Sequence, residues 1–257
     1  MFKTTLFYKI YDKLFMNDYS DLVIELFRKK KIRVLSDKMI VFDVGSYKGT
    51  FSHNLEKKIK IKKKISFYLF DPLSKKIKNK IFSKNFKYFN FAFDKFGPGV
   101  KRFYVNNFLA ASGSSLRGDS FKDQKYMFSR GLIGFFLDPF KKMFSIIKVK
   151  TNSLDNFCKT NKIKYINILK IDTEGTELDV LNGSQKMLKN IDLICVEIQC
   201  KKEIYQSRLN NINKLLKKDF NLYYKKRIPL ASLFTGIISY DYIYIKKKYK
   251  LNSNILS

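Results

Sequence analysis

Short apolar runs recur along the chain, separated by segments in which apolar residues return every three or four positions. Four of these runs are almost wholly apolar: MIVFDVG (39–45), ISFYLFDP (65–72), INILKID (166–172) and IDLICVEIQ (191–199). Strands of this kind are buried on both faces, as in a mostly parallel sheet that helices cover. The pattern therefore predicts an α/β fold with these runs at the centre of its sheet.

Further elements are predicted around these four strands. FKYFNFAF (86–93) predicts one more strand, and helices are predicted from near Gly49 and over roughly 175–189. The alternating segments VKRFYVNN (100–107) and SIIKVKT (145–151) are typical of an exposed antiparallel pair. FNLYYKK and YDYIYIKKK predict two terminal strands.

The first 37 residues predict an amphipathic helical segment, with apolar positions at Leu6, Ile10 and Leu14 and again between Leu22 and Phe27. Neither an internal repeat nor a Gly/Ser-rich linker divides the chain. We therefore expect residues 1–37 to pack on a single domain formed by residues 38–250.

The least regular part of the sequence is 112–145, which runs from SGSSLRGDS to GLIGFFLDPFKKMF. The second of these stretches is apolar and aromatic, with Lys141 and Lys142 beside it. Three interpretations stay open for it: a helix packed on the sheet, a lid over the site, or a peripheral contact with a membrane surface.

The charge balance is strongly basic, with 52 Lys and Arg against 22 Asp and Glu and a net charge of +30. Such a charge is compatible with nucleic acid or an anionic membrane as a partner. However, the basic runs are scattered along the chain, and Lys, Ile, Asn, Phe and Tyr are all abundant while Trp is absent. This pattern favours a compositional bias and a solvated lysine-rich surface, so nucleic acid is not the expected partner.

The few cysteines and histidines limit the possible chemistry. Cys158, Cys195 and Cys200 form no CxxC pair, and His53 is the only histidine. A structural zinc site needs about four such ligands at close spacing, so no zinc site is expected. Asp172 and Glu174 could ligate a divalent cation, but a site without a metal is favoured. The odd number of cysteines and the charged N-terminal stretch, which has no signal-peptide core, indicate a cytoplasmic protein. No window approaches about 18 uninterrupted apolar residues, so no membrane-spanning segment is predicted.

The turn DVGSYKG, after the first strand, has the features of a ligand site. Ligands of open parallel sheets bind beyond the carboxyl ends of the strands, and Gly45 and Gly49 allow a tight turn there. The dinucleotide fingerprint GxGxxG is absent. Asp43 would repel a pyrophosphate but could accept a hydrogen bond from an ammonium or hydroxyl group. The turn therefore favours S-adenosylmethionine over NAD, although Asp43 could instead cap the next helix.

A second acidic residue, Asp71, ends the second strand 22 positions after Gly49. A carboxylate only accepts hydrogen bonds, which suits the two hydroxyl groups of a ribose. The alternative is that Asp71 and Pro72 simply form a turn.

Several ordered motifs resemble those of the FkbM family of S-adenosylmethionine-dependent methyltransferases. They are VFDVGSYKGTFS, YLFDP, FAFD, GSSL, NSLDNF, LKIDTEGTELDVLNGS and VEIQ. The resemblance covers about residues 39–245, and its KIDxEGxE motif is the most specific part. It implies a Rossmann-like class I methyltransferase fold with an antiparallel terminal strand. It also implies O-methylation of a hydroxyl, often on a sugar or a polyketide.

The resemblance also assigns site residues. For the cofactor it implies Asp43, Gly45, Ser46 and Gly49 in the first motif, Asp71 at the ribose and Ala92 beside the adenine. For the acceptor it implies Ser115 and Glu197, and for catalysis Asp172 and Glu174 of the signature. Ser46-Tyr47 and Lys48 depart from the family pattern, which commonly has Ala-Asn followed by an apolar residue.

Methyl transfer to a hydroxyl requires alignment of the acceptor and is helped by a base. His53 lies one turn into a predicted helix and is interpreted as a surface or packing residue. The base is therefore expected to be Asp172 or Glu174, because two close carboxylates raise the pKa of one of them. Glu177 is expected to complement the positive end of the next helix.

Three functions are compatible with these patterns. The favoured one is methylation of a hydroxyl on a small molecule or glycan, with sugars of surface polysaccharides as the expected acceptors. An RNA methyltransferase is the second, which the charge invites but no RNA-binding motif supports. The third is a degenerate cofactor fold that acts as an assembly partner or at a membrane surface.

Overall fold

Two β-sheets organise the computed structural model, which describes residues 19–28, 38–59, 64–73, 84–107, 114–117, 144–228 and 237–249. The helices of this part are α1 (Tyr19–Arg28), α2 (Thr50–Lys58), α3 (Leu154–Thr160), α4 (Glu177–Asn182), α5 (Gln185–Leu188) and α6 (Lys202–Leu216). The strands are β1 (Lys38–Val44), β2 (Lys64–Phe70), β3 (Phe86–Phe89), β4 (Ala92–Phe93), β5 (Gly99–Asn106), β6 (Phe144–Asn152), β7 (Ile166–Ile171), β8 (Ile191–Lys201), β9 (Phe220–Ile228) and β10 (Ile237–Lys246).

The main sheet has seven strands in the order β3-β2-β1-β7-β8-β10-β9. Its first five strands run parallel, whereas β10 pairs antiparallel with both β8 and β9. The predicted α/β fold, with a mostly parallel sheet and antiparallel terminal strands, is confirmed. The strand order reverses between β1 and β7, which is where such sheets bind their ligands.

Helices cover both faces of the main sheet because the inner strands are apolar on both sides. On one face, Val23 and Leu26 of α1 and Leu55 of α2 share a buried cluster with Met39 and Val41 of β1. On the other face the core is aromatic and aliphatic and includes residues of α3, α4 and α6, among them Phe157, Val180 and Ile212. Within the predicted N-terminal helical segment, residues 1–18 and 29–37 lie outside the described residues.

The second sheet has three strands in the order β4-β6-β5. β5 and β6 form the antiparallel pair that their alternating sequences predict. One face of this sheet packs over a small cluster formed by Leu73, Phe103, Val105 and Val149. The opposite face points away from this cluster.

Residues 86–93 form two strands in different sheets, so the prediction of one continuous strand is wrong. β3 pairs with β2 of the main sheet, whereas β4 pairs with β6. Between them, the side-chain amide of Asn90 donates to the carbonyls of Asp71 and Pro72 at 3.4 and 2.5 Å. These bonds attach Asn90 to the turn after β2. The chain leaves the main sheet at Asn90 and continues into β4 of the second sheet.

The helix predicted over 175–189 is also divided, into α4 and α5. Gly183 lies between them, and a Cβ at this position would lie 2.3 Å from the carbonyl oxygen of Asp94. α6 was not predicted, although Tyr205, Leu209, Ile212 and Leu216 give it a buried stripe with helical spacing. α3 was not predicted either.

Most of the irregular segment 112–145 falls outside the described residues, which include only 114–117 and 144–145 of it. The choice between a packed helix, a lid and a membrane contact therefore stays a prediction. Among the described helices, none combines the length and the apolar character that crossing a membrane would need.

The amino-terminal end of β8 carries a fully buried carboxylate, that of Asp192. It accepts hydrogen bonds from Asn167 Nδ2 at 3.2 Å, from Tyr249 Oη at 2.6 Å and from Tyr165 Oη. Lys248 Nζ lies 2.9 Å from the same carboxylate, with its side chain 41% exposed. Asp192 thereby links β7, β8 and the residues after β10. It lies at the amino-terminal ends of the parallel strands, and the candidate site described below lies at their carboxyl ends.

We expect Asp192→Asn to lower the free energy of unfolding by about 1–3 kcal/mol, because the amide nitrogen would face Asn167 Nδ2 or Lys248 Nζ, neither of which can accept a hydrogen bond. Urea denaturation measures this difference. The control, Lys248→Met, should cost less than about 1 kcal/mol because that lysine reaches solvent. Equal losses in the two variants would contradict the buried carboxylate as the anchor of this cluster.

Candidate active site

The carboxyl ends of the central strands bring several acidic residues into one row. The pairing aligns Asp43 of β1 with Lys170 of β7, and Lys170 with Cys195 of β8. Two residues further along each strand, Asp172 therefore comes beside Glu197, and Glu197 is paired directly with Asp241 of β10. Asp71 follows β2 at the same edge. The sheet thus assembles residues that are up to 198 positions apart in the sequence.

The turn after β1 is packed against the corner after β7. Gly45 has a φ of 75°, and a Cβ there would lie only 1.8 Å from the carbonyl oxygen of Asp172. The amide of Asp172 donates to the carbonyl of Val44 at 3.0 Å, which holds the two segments together. Gly49 also has a positive φ, of 76°, and Tyr47 has one of 46°. The predicted glycine turn is thus present, and its backbone requires glycine at position 45.

We expect Gly45→Ala to abolish binding of S-adenosylmethionine and to lower the melting temperature, because the added carbon would overlap the backbone of Asp172 and the positive φ would strain alanine. Calorimetry and thermal unfolding measure the two effects. Gly97→Ala is the matched control, since no atom lies within 4 Å of a Cβ at that position. Binding retained by Gly45→Ala would contradict the role of this contact.

Asp71 links the turns after β1 and β2. Its Oδ1 accepts from the Leu73 amide at 2.7 Å and its Oδ2 from the Tyr47 amide at 2.9 Å. Burial raises the pKa of this carboxyl, and the two amide donors oppose that effect. Ser46 is also buried, and its hydroxyl makes no hydrogen bond within the part of the chain that the structure describes.

Lys170 is a buried cation between two of the acids. Its Nζ lies 3.0 Å from Asp172 Oδ2 and 3.5 Å from Asp43 Oδ1, and its side chain is 9% exposed. Ser52 of α2 donates to the other oxygen of Asp43 at 2.8 Å. Burial alone would lower the pKa of Lys170, but Asp172 and Asp43 raise it above the ordinary lysine range. The ammonium group is therefore charged at all ordinary pH values and connects the two strand ends.

Glu197 is the half-buried acid in the middle of the row. Burial raises its pKa well above the usual value, and the charges of Asp172, Asp241 and Glu174 raise it further. The hydroxyl of Ser239 donates to Glu197 Oε1 at 2.5 Å and opposes this effect. The sequence predicts repulsion between close carboxylates at Asp172 and Glu174. In the structure this repulsion raises the pKa of Glu197.

The corner that follows β7 is held by Glu177. This fully buried residue accepts from the Gly175 amide at 2.7 Å and from the Thr173 hydroxyl at 3.2 Å. Arg208 of α6 lies 3.8 Å from its other oxygen. Glu177 is at the start of α4, as the dipole interpretation requires, and it also fixes the loop that presents Glu174, which has a φ of 55°.

Two other predicted site residues lie beside this corner or at its margin. Ser115 is buried, and its hydroxyl donates to the carbonyl of Thr173 at 3.2 Å, so the structure brings it to the corner. Ala92 is in β4 and packs against the small core of the second sheet.

His53 is half-buried on α2, with no interaction among the described residues that would suggest a chemical role.

Three residues of the site were missed in the sequence. Lys170 and Asp241 are charged residues within largely apolar or aromatic strands, and this was the signal that could have revealed them. Arg208 gave no such signal, because arginine on a helix is ordinarily solvated and its contact with Glu177 comes from the fold.

A family model described as the methyltransferase FkbM domain matches residues 43–224. None of the curated proteins matches the chain.

Several solved structures are similar to the chain. An rRNA methylase from Streptococcus thermophilus has 13% identity and a TM-score of 0.40, with 88% of this chain and 93% of that chain covered. A provisionally assigned RNA methyltransferase from Pyrococcus horikoshii has 10% identity and a TM-score of 0.38, with coverage of 92% and 88%. TYW2 from M. jannaschii, solved in complex with AdoMet, has 11% identity and a TM-score of 0.33, with coverage of 91% and 80%.

Proposed function

Because the chain belongs to the FkbM family of S-adenosylmethionine-dependent methyltransferases, we propose that it transfers the methyl group to a hydroxyl of a neutral acceptor, a sugar of a glycan or a small molecule. S-adenosylmethionine is its cofactor and supplies an electrophilic methyl group. The identity of the acceptor rests on the residues around the strand ends.

The residues at the turn after β1 fit this cofactor. Gly45 and Gly49 leave two positions of the turn without a side chain, and the buried hydroxyl of Ser46 has no hydrogen-bond partner within the described residues. Asp71 uses one lone pair of each oxygen on a backbone amide, and a carboxylate has about four acceptor positions. Its remaining positions can accept from the ribose hydroxyls, and Ala92 is proposed to lie beside the adenine.

The row of acids carries the proposal on the acceptor. Asp172, with its side chain 24% exposed, and the half-buried Glu174 and Glu197 lie around one corner. Their carboxylates would repel a phosphate, whereas the hydroxyl groups of a sugar donate to carboxylates. Of the cations that the structure describes at this corner, Lys170 is already engaged by Asp43 and Asp172, and Arg208 lies against Glu177. A neutral polyhydroxyl acceptor therefore fits this corner better than a nucleic acid backbone.

We assign different roles to these acids. Glu197 takes the proton of the acceptor hydroxyl, because a base with a raised pKa is matched to the proton that it removes near neutral pH. Asp172, held by Lys170, and Glu174 orient the acceptor for in-line attack. Ser115 is proposed to line the acceptor side of the corner through its bond to Thr173.

Transfer from S-adenosylmethionine with a labelled methyl group tests the function. We expect label on neutral oligosaccharides and none on structured RNA. The product should resist mild alkali, because a methyl ether is stable where a methyl ester is hydrolysed. Label on RNA alone, or label that alkali releases from the acceptor, would contradict the proposal.

A further inference from the structure

The three-stranded sheet presents an outward face that carries none of the site residues named above. Cross-strand pairing places Val100 opposite Lys150, Arg102 opposite Lys148, and Tyr104 opposite Ile146. Side chains of directly paired residues share a face, so these six residues form one surface, here called the basic sheet face. The alternate residues Phe103, Val105 and Val149 are buried on the inner side.

Large apolar side chains are exposed on and beside the basic sheet face. Val100 is 64% exposed and Ile146 is 59% exposed. Phe96, in the turn that precedes Val100, is 61% exposed. Among the described residues, only Ile204 and Leu222 are other exposed large apolar side chains. Most of this exposed apolar surface is thus gathered on the smaller sheet, and clusters of this kind mark contact sites.

The charge of the basic sheet face is uncompensated within its own strands. Arg102 and Lys148 are directly opposite each other, and like charges in this arrangement destabilise a sheet. Neither β5 nor β6 contains an acidic residue. The nearby Asp94 is buried and forms an ion pair with Lys101. An anionic partner would remove the repulsion between the basic side chains.

We propose that the basic sheet face docks on an anionic membrane surface. Basic side chains near such a surface contribute about 1 kcal/mol each, and the face supplies Arg102, Lys148 and Lys150. The exposed apolar residues beside them include the aliphatic Val100 and Ile146, which gain by burial at the boundary of headgroups and acyl chains. Single-stranded RNA stacks its bases on aromatic side chains, but Val100 and Ile146 are aliphatic, and Lys95 and Lys101 lie over the ring of Phe96.

Docking would place the active site close to the bilayer. Tyr104 of the face exchanges backbone hydrogen bonds with Ser115, at 2.8 and 3.0 Å. The hydroxyl of Ser115 in turn donates to the carbonyl of Thr173 in the corner after β7. Ser115 therefore joins the basic sheet face to the corner after β7. The proposed docking does not depend on which acceptor is methylated.

Vesicle sedimentation tests the proposal, with phosphatidylcholine vesicles and vesicles that also contain phosphatidylserine. We expect binding to the anionic vesicles only, and weaker binding at higher salt. Arg102→Glu/Lys148→Glu should weaken it by at least about 30-fold, since two contributions of about 1 kcal/mol are lost. The matched control, Lys217→Glu/Lys218→Glu, makes the same change of net charge on exposed residues after α6.

A second variant, Val100→Ser/Ile146→Ser, keeps the net charge and should also weaken vesicle binding. It keeps the test valid if the charge reversal impairs folding, which thermal unfolding would reveal. Equal losses in the face variants and the Lys217/Lys218 control would overturn the proposal in favour of a general charge effect. Binding to phosphatidylcholine alone, or a structured RNA oligonucleotide bound through this face while vesicles are not, would overturn it as well.

Discussion

Replacing Glu197 by glutamine is expected to lower kcat by about 10²–10⁴-fold, the usual contribution of a general base. The substitution keeps the size of the side chain and its bond to Ser239 but removes the ability to take a proton. Binding of S-adenosylmethionine, measured by calorimetry, should be unchanged. Glu203→Gln, an exposed substitution on α6, is the control and should keep full turnover.

The pH dependence gives an independent check on this role. Burial and the neighbouring acids raise the pKa of Glu197, and only the ionised carboxylate can act as a base. In the native enzyme kcat/KM should therefore rise with pH through a value above the ordinary glutamate pKa of about 4.3. Glu197→Gln should lack this limb. A limb that persists unchanged in the variant would contradict the assignment of the base.

The raised pKa of Glu197 also affects stability: activity should rise with pH, whereas the stability that this carboxyl contributes should fall with pH. A carboxyl whose pKa is raised on folding favours the folded state below its unfolded pKa, and this contribution is lost as the pH rises through the folded pKa. The native protein should therefore lose stability relative to Glu197→Gln over that range.

The amide variants Asp172→Asn and Glu174→Gln test the orienting roles of these two acids. Unchanged turnover in both variants would contradict those roles.

Lys170→Met is expected to lower the free energy of unfolding by about 3–5 kcal/mol, because Asp43 and Asp172 would be left close together without their buried cation. The raised pKa of Lys170 means that its stabilising charge is present at all pH values below the ordinary lysine range and is lost only at strongly alkaline pH. Denaturant unfolding measures the change. Lys159→Met, on the exposed end of α3, should stay within about 0.5 kcal/mol of the native protein.

A double variant separates the charge effect from a loss of packing. Lys170→Met/Asp43→Asn removes one of the two carboxylates that the first substitution leaves without a cation. It should therefore be more stable than the sum of the two single changes predicts. Additive losses would show that the lysine contributes through the packing of its methylene groups and not through its charge.

The sequence was sufficient where local pattern determines structure. The apolar runs that became β1, β2, β7 and β8 identified the parallel sheet, because a strand buried on both faces has to be apolar throughout. The same runs placed Asp43, Asp71 and Asp172 at strand ends. The turn at Gly45 was recognisable because only glycine adopts its backbone conformation without strain.

What the sequence could not reveal depends on pairing between distant segments. The neighbour of Glu197 that completes the acidic row is Asp241, and only the register of β8 with β10 brings them together. The division of 86–93 between two sheets likewise depends on bonds from Asn90 to the turn after β2. The raised pKa was expected at Asp172 or Glu174, and the position of Glu197 between the other acids could not be known without that register.

The contact between Gly45 and the carbonyl of Asp172 also restricts how this sequence can evolve. Glycine codons begin with two guanines, so a genome that favours adenine and thymine tends to replace them, and only 11 glycines occur in the 257 residues. At position 45 any other residue would bring a Cβ into the carbonyl of Asp172, so the backbone at Asp172 would have to move as well. The two positions are 127 residues apart in the sequence. A drift of codons toward adenine and thymine could therefore exchange residues of the lysine-rich surface, whereas the glycine at this turn would have to be kept.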